Sequence, residues 1–154
     1  MGKVVCYYVT GHGLGHASRT IRIIEFLLRE GYFVHVVSSV NCSFFEQSIG
    51  DYSSFRAQFQ FHSRVLDTGA VQDGPLKVDA GVTLQKYHDN IHAHHDQLVE
   101  QEVSFLTLSS IQLVLSDATA LVCVAGVKAG CRVCLLSNFT WDGMYREMLC
   151  MCTD

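Results

Sequence analysis

Charge is sparse in this sequence and nowhere gathered. Lys and Arg number 11, Asp and Glu 15, and charged residues make up 17% of the 154 positions. No Lys/Arg cluster occurs, so the phosphate-backbone footprint of a nucleic-acid binder is missing. With 49% apolar residues beside so little charge, the composition is not that of a disordered chain. A chain of this length can bury roughly 70% of its unfolded surface around one core. No apolar run approaches the roughly 20 residues that a membrane-crossing helix needs. Proline occurs once, at Pro75. Lysine is absent between Lys3 and Lys77, which excludes a Gly-Lys-[Ser/Thr] phosphate loop near the N-terminus. There is too little apolar sequence after Lys3 for a secretory leader, and no small-x-small cleavage site follows. Cys6 stands where a myristoylation signal needs Ser or Thr. Seven cysteines, an odd number without a leader, read as reduced thiols, and a cytoplasmic location is expected. The Asn41 and Asn138 sequons then carry no glycosylation meaning.

What is present alternates between strand and helix signals. Residues 3–10 (KVVCYYVT) form a β-branched and aromatic run of strand length. A glycine-rich turn occupies 11–15. Residues 17–30 place Ile21, Ile24, Leu27 and Leu28 at helical spacing, and Gly31 closes the helix. Residues 33–38 (FVHVVS) read as a second strand, completing a βαβ unit with a parallel pair. Further on, the patterns predict a helical turn at 44–48, a strand at 58–66 and a loop at 67–78. One helix is predicted over 83–108, with an apolar stripe of Leu84, Tyr87, Ile91, Leu98 and Phe105. A strand at 112–116, a helix at 119–129, a strand at 131–136 and a helix at 141–150 follow. The expected fold is α/β, a Rossmann-like doubly wound parallel sheet, with 1–154 as a single domain.

The most informative stretch runs from Thr10 to Arg19 (TGHGLGHASR). It follows a buried strand and opens a helix, where glycines allow a sharp turn and close approach to a ligand. Free N–H groups and the partial positive charge of a helix start favour an anion there. His12 and His16 add hydrogen-bonding side chains at the carboxyl end of the strand, where open α/β sheets bind ligands. The spacing Gly11, Gly13, Gly15 departs from the dinucleotide fingerprint, whose third glycine comes one place later. No acidic residue ends the second strand either, so NAD binding is disfavoured. The plain alternative is a tight βα turn with no ligand.

The string Tyr7-Tyr-Val-Thr-Gly-His-Gly-Leu-Gly-His-Ala-Ser-Arg19 resembles the N-terminal region of plant-type L-arabinokinases. Those proteins join a glycosyltransferase-like N-terminal half to a C-terminal sugar kinase of the galactokinase/homoserine-kinase class. The similarity continues in Val34-His-Val-Val37, Leu66-Asp-Thr-Gly-Ala-Val-Gln72, Leu84-Gln-Lys-Tyr87, Ser116-Asp117 and Ser137-Asn-Phe-Thr-Trp-Asp142. The loop also looks like the first loop of GT-B glycosyltransferases. The resemblance implies the N-terminal half of a GT-B fold and a parent activity in arabinose salvage, the ATP-dependent phosphorylation of L-arabinose at its anomeric carbon. The sequence contains neither a second GT-B half nor a sugar kinase domain, and residues 148–154 do not follow the family's continuation. A truncated or separate domain without kinase activity of its own is therefore expected, carrying no cofactor.

Candidate ligand-binding residues are Gly11, His12, Gly13, Gly15, His16, Arg19, Asp117, Asn138, Trp141 and Asp142, with His16 the candidate catalytic group. Asp117 either orients a histidine, binds sugar hydroxyls or caps the next helix. Asp142 does the same work or only meets a helix dipole. Asn138 and Trp141 line a sugar site or, for Trp141, pack in the core. Residues 67–73 either fold over a ligand or form a surface loop. His88, His92 and His95 at i, i+4, i+7 read as a solvated helix face, and no metal site is expected. Cys131 and Cys134 read as buried strand thiols. The expected ligand is a sugar, sugar phosphate or nucleotide-sugar, with no nucleic acid or membrane partner. Self-association is expected through apolar area around residues 138–151. The acceptor half of a glycosyltransferase and a non-catalytic interaction domain stand as alternatives.

Overall fold

A computed structural model describes residues 2–75 and 77–153. Five parallel strands form one sheet in the order β3-β2-β1-β4-β5. These are β1 (Val4–Val9), β2 (Phe33–Ser38), β3 (Phe59–Ser63), β4 (Leu113–Asp117) and β5 (Arg132–Leu135). The helices are α1 (Leu14–Arg29), α2 (Cys42–Ser48), α3 (Tyr52–Phe55), α4 (Ala80–Asn90), α5 (His95–Leu108), α6 (Leu121–Lys128) and α7 (Trp141–Thr153). This is the Rossmann-like α/β architecture the sequence pattern predicts.

The central strand shows why the sheet is covered on both faces. Along β1, Val5, Tyr7 and Val9 pack with Ile21, Ile24 and Leu28 of α1 and Phe45 of α2. The alternate residues Cys6 and Tyr8 pack with Val99 and Leu106 of α5 and Val122 and Ala125 of α6. A strand buried on both faces reads as a continuous apolar run, as VVCYYV does. A third cluster sits at the carboxyl edge, where Trp141, Tyr145 and Met148 of α7 meet Ala118, with Leu84 and Tyr87 of α4 beside them.

Several boundaries differ from the sequence pattern. The helix expected from residue 17 already begins at Leu14, so Gly15 lies in its first turn. The expected helix over 83–108 is two helices. It breaks at Ile91 (φ −121°) and passes through a 3-10 turn, His92–His94. No Gly or Pro causes the break. The two halves have different partners, since α4 packs on α7 whereas α5 packs on α6. The histidines lie around this break, His88 and His92 with their rings 5.7 Å apart and both exposed. Among the described residues no His/Cys/Asp/Glu group is placed to hold a metal ion. The expectation of buried thiols fails at Cys134, which is exposed because β5 is an edge strand. Cys131 is half-buried and donates to the Ile111 carbonyl at 3.2 Å. No disulfide forms among the described residues. No described helix is long and apolar enough to cross a membrane.

Polar groups also sit beneath α5. Glu102 is buried; it accepts from the Tyr8 hydroxyl at 2.6 Å and pairs with Arg64. The Arg64 guanidinium lies 4.2 Å from the centre of the Phe105 ring. Beside it, His35 and His62 stack with Nδ1 and Nε2 3.0 Å apart. Burial, assisted by neighbouring His62, lowers the His35 pKa to about 4. The unfolded chain therefore binds a proton near pH 6.5 that the folded chain refuses until near pH 4. We expect stability contributed by neutral His35 to be intact above pH 6.5 and lost as pH falls toward 4. Urea midpoints measured across that range should fall more steeply for the wild type than for His35→Phe.

Candidate functional site

The carboxyl ends of the neighbouring strands β1 and β4 meet at the start of α1, and the segment after β3 reaches them through Asp67. Gly13 is the residue before α1 and has φ +77° and ψ 152°, a conformation essentially reserved for glycine. Gly11 is crowded for a different reason: a Cβ there would meet Ser39 Oγ at 1.7 Å, so that hydroxyl would have to move. Gly15 has open space and no left-handed backbone, so the turn itself does not demand it. The start of α1 carries no side-chain cap and no acidic residue in its first turn, leaving its N–H groups to other partners.

His16 and Arg19 are three apart on α1 and reach the same carboxylate. His16 Nδ1 lies 2.8 Å from Asp117 Oδ2, and Arg19 holds Asp117 Oδ1. The Asp117 side chain is fully buried, whereas Arg19 is 45% exposed. With the carboxylate accepting from Nδ1, the other ring nitrogen of His16 is left as an acceptor. Arg19 also donates to the exposed Asn138 at 3.4 Å, and Phe139 packs edge-on to the His16 ring. Asp117 is not the cap of the next helix. That position belongs to Ala120, because residues 118–120 turn before α6 starts.

A second set of contacts centres on Asp67, which the sequence pattern placed only within a loop. It accepts from Thr10 at 2.9 Å and Thr119 at 2.8 Å, joining the ends of β1, β3 and β4. Burial raises its pKa, and the two hydroxyl donors oppose that rise. Thr10 in turn accepts from Trp141 Nε1 at 3.0 Å. Gly69 (φ +65°) lets the chain pass against His12, since a Cβ there would lie 2.5 Å from Nδ1. His12 Nδ1 accepts from Ala70 N at 3.4 Å, and its ring packs edge-on to Trp141. The first part of the 67–78 loop is thus tied to the sheet edge. Trp141 is buried in the α7 cluster while also facing a cavity beside Asp67, and Asp142 Oδ1 is buried with no hydrogen-bond partner.

A five-stranded parallel sheet with this loop on its first strand defines a Rossmann-like domain, and solved structures of GT-B UDP-glycosyltransferases share it. UGT73P12 of Glycyrrhiza uralensis, complexed with glycyrrhetinic acid 3-O-monoglucuronide, superposes with TM-score 0.57 at 17% identity, over 88% of this chain and 28% of that one. A ugt transferase from Siraitia grosvenorii, in complex with UDP, gives 0.56 at 23% identity, over 87% and 28%. The C-terminal domain of a Pyrococcus furiosus hydrogenase gives 0.50 at 10% identity, over 88% and 91%. In sequence, the chain is similar to a segment of L-arabinokinase from Arabidopsis thaliana, 35% identical over 144 residues. That segment covers 94% of this chain and 13% of the relative's length. No family model matches the chain.

The glycines separate by experiment. Gly13→Ala should destabilise by about 1–3 kcal/mol through its backbone angles alone. Gly11→Ala should destabilise through contact with Ser39. Gly15→Ala should be neutral or stabilise by up to about 1 kcal/mol, as helix propensity dictates. Urea unfolding of the three variants checks the order.

Proposed function

We propose that the chain is a sugar- or nucleotide-sugar-binding domain whose charged or hydroxyl-rich ligand sits at the start of α1. One observation carries this reading most directly: His16 and Arg19 converge on buried Asp117 beside an uncapped helix N-terminus. The exposed part of Arg19 and the helix N–H groups suit phosphate oxygens, and the acceptor nitrogen of His16 suits a hydroxyl. The similarity to L-arabinokinase supports a carbohydrate ligand. The neighbour complexed with UDP supports a nucleotide-sugar. The phosphorylation of arabinose itself is not assigned to these residues, which offer no phosphate loop and no cradle for ATP and Mg²⁺.

A second reading rests on the same pair. A histidine whose far nitrogen is oriented by a carboxylate can accept a proton from a sugar or other hydroxyl, as the acceptor half of a glycosyltransferase requires. Arg19 works against it, because the guanidinium already holds the other oxygen of Asp117, so the carboxylate is not dedicated to the histidine. Binding is therefore the stronger reading.

His16→Ala should weaken binding of the best ligand by roughly 1–3 kcal/mol, the cost of leaving a partly buried polar group unpaired. The screen should include L-arabinose, its 1-phosphate and UDP-sugars, with titration calorimetry on the strongest hit. Equal affinity in wild type and variant would remove the site from the start of α1. Purified chain incubated with ATP and L-arabinose should yield no sugar phosphate, and turnover would overturn that part of the reading.

A further inference from the structure

Helix α6 is apolar all round. Of its sequence LVCVAGVK only Lys128 is polar, and that residue pairs with Glu100 of α5. A helix of this composition belongs in an interior. One face meets that demand, with Leu121, Val122 and Ala125 in the core. The outer face carries Val124, 43% exposed, and Val127, 69% exposed.

Strand β5 lies under the same helix and is also left open. Gly126 lets α6 settle on β4 and β5 together, since a Cβ there would lie 2.7 Å from Val133 Cγ2 and 3.2 Å from Val114 Cγ2. β5 pairs with β4 alone, so its other side is a free edge of the sheet. Strands of a parallel sheet are ordinarily covered on both faces. Cys134 and Leu135 are nevertheless exposed, because α7, which follows β5, packs on α4 instead. Natural edge strands are guarded by charge, proline or a bulge. The stretch Val133 to Leu136 (VCLL) contains no charge and no proline, whereas the opposite edge, β3, interleaves Gln60, His62 and Ser63. The backbone direction along β5 sets what can be added. Arg132 N donates to Gln112 O at 3.0 Å and Leu136 N to Ser116 O at 2.8 Å. By strand alternation, Val133 and Leu135 turn their N–H and C=O groups away from β4.

We propose that β5 and α6 form a homodimer interface, in which β5 of a second copy pairs antiparallel across a two-fold axis at Cys134. That register exchanges both hydrogen bonds between Val133 of one copy and Leu135 of the other. Cys134 then faces its own copy as the closer, non-hydrogen-bonded pair. Arg132 opposes Leu136, so no charge faces its like. The axis is perpendicular to the sheet, which puts both α6 helices on one face. With strands about 4.8 Å apart and α6 seated between β4 and β5, the two helix axes lie about 10 Å apart, the distance of packed helices. One symmetry operation therefore covers the free edge and the exposed valines together, the self-complementarity that an isologous interface requires. A lone added strand would cover the edge and leave Val127 in water. The surface lies outside residues 138–151, where the sequence pattern places self-association.

The test uses the full chain. Sedimentation equilibrium under reducing conditions measures association, and mild oxidation followed by peptide mass spectrometry identifies the cysteines in contact. A dimer is expected, cross-linked from Cys134 to Cys134. Cys134→Ser should abolish the cross-link and keep the dimer. Leu135→Pro removes an outward N–H without removing a bond to β4. Val127→Lys sets like charges across the axis. Each should raise the dimer dissociation constant by about tenfold or more. Circular dichroism confirms that the variants are folded, and Val127→Lys decides alone if Leu135→Pro is not. A chain that stays monomeric up to about 1 mM would overturn the proposal. So would a dimer unchanged in every folded variant, or one cross-linked through Cys150 or Cys152 and not through Cys134.

Discussion

The Asp117 carboxylate has no exposed surface, and an ion in that position is tolerable only with partners in good geometry. Both partners come from one helix: His16 and Arg19, one turn apart on α1. The start of α1 is thereby pinned over the end of β4, although β1 leads directly into it. Pinning it there requires the chain to leave β1, turn within a few residues and enter the helix at once. Gly13 supplies that turn with its positive φ, and Gly11 lets the turn pass against Ser39. The parallel order β2-β1-β4 then brings Thr10, Ser38 and Asp117 to the same edge. Asp67 and Trp141 close the arrangement through Thr10, so the segments after β1, β3 and β4 and the start of α7 share one hydrogen-bonded web.

The βαβ unit was legible because its signals are local. A two-sided buried strand, a glycine turn and an amphipathic helix each declare themselves within a few residues. The break at Ile91 was not legible, since residues 83–108 contain neither Gly nor Pro and carry a continuous apolar stripe. It follows from tertiary packing, with one half drawn to α7 and the other to α6. Asp117 was legible as a polar residue at a strand end. Its choice of His16 and Arg19 over the helix that follows it depends on sheet order, which no local pattern encodes. Asp67 was missed as a site residue for the same reason. It sits in a segment without periodicity, and its hydroxyl partners are 57 and 52 residues away. The only available signal was its place within the Leu66–Gln72 string.

The fold alone says little about chemistry here. A hydrogenase domain superposes at TM-score 0.50 with 10% identity, close to the scores of the two glycosyltransferases. Any functional argument must therefore rest on side chains grafted onto the common sheet. The side chains at the start of α1 are His16 and Arg19, held by one buried carboxylate. Those lining the cavity beside Trp141 are Asp67, Thr119, Asp142 and His95 with the rings of Tyr87 and Tyr145.

That contrast has a physical consequence. Arg19 and the helix N-terminus raise the local potential where oxyanions would approach, whereas Asp67 and Asp142 lower it a short distance away. Trp141 touches both places, with its ring edge-on to His12, its Nε1 committed to Thr10 and its side chain lining the cavity. Its polar atom is spent on holding the edge together, so what it leaves to the cavity is apolar ring surface.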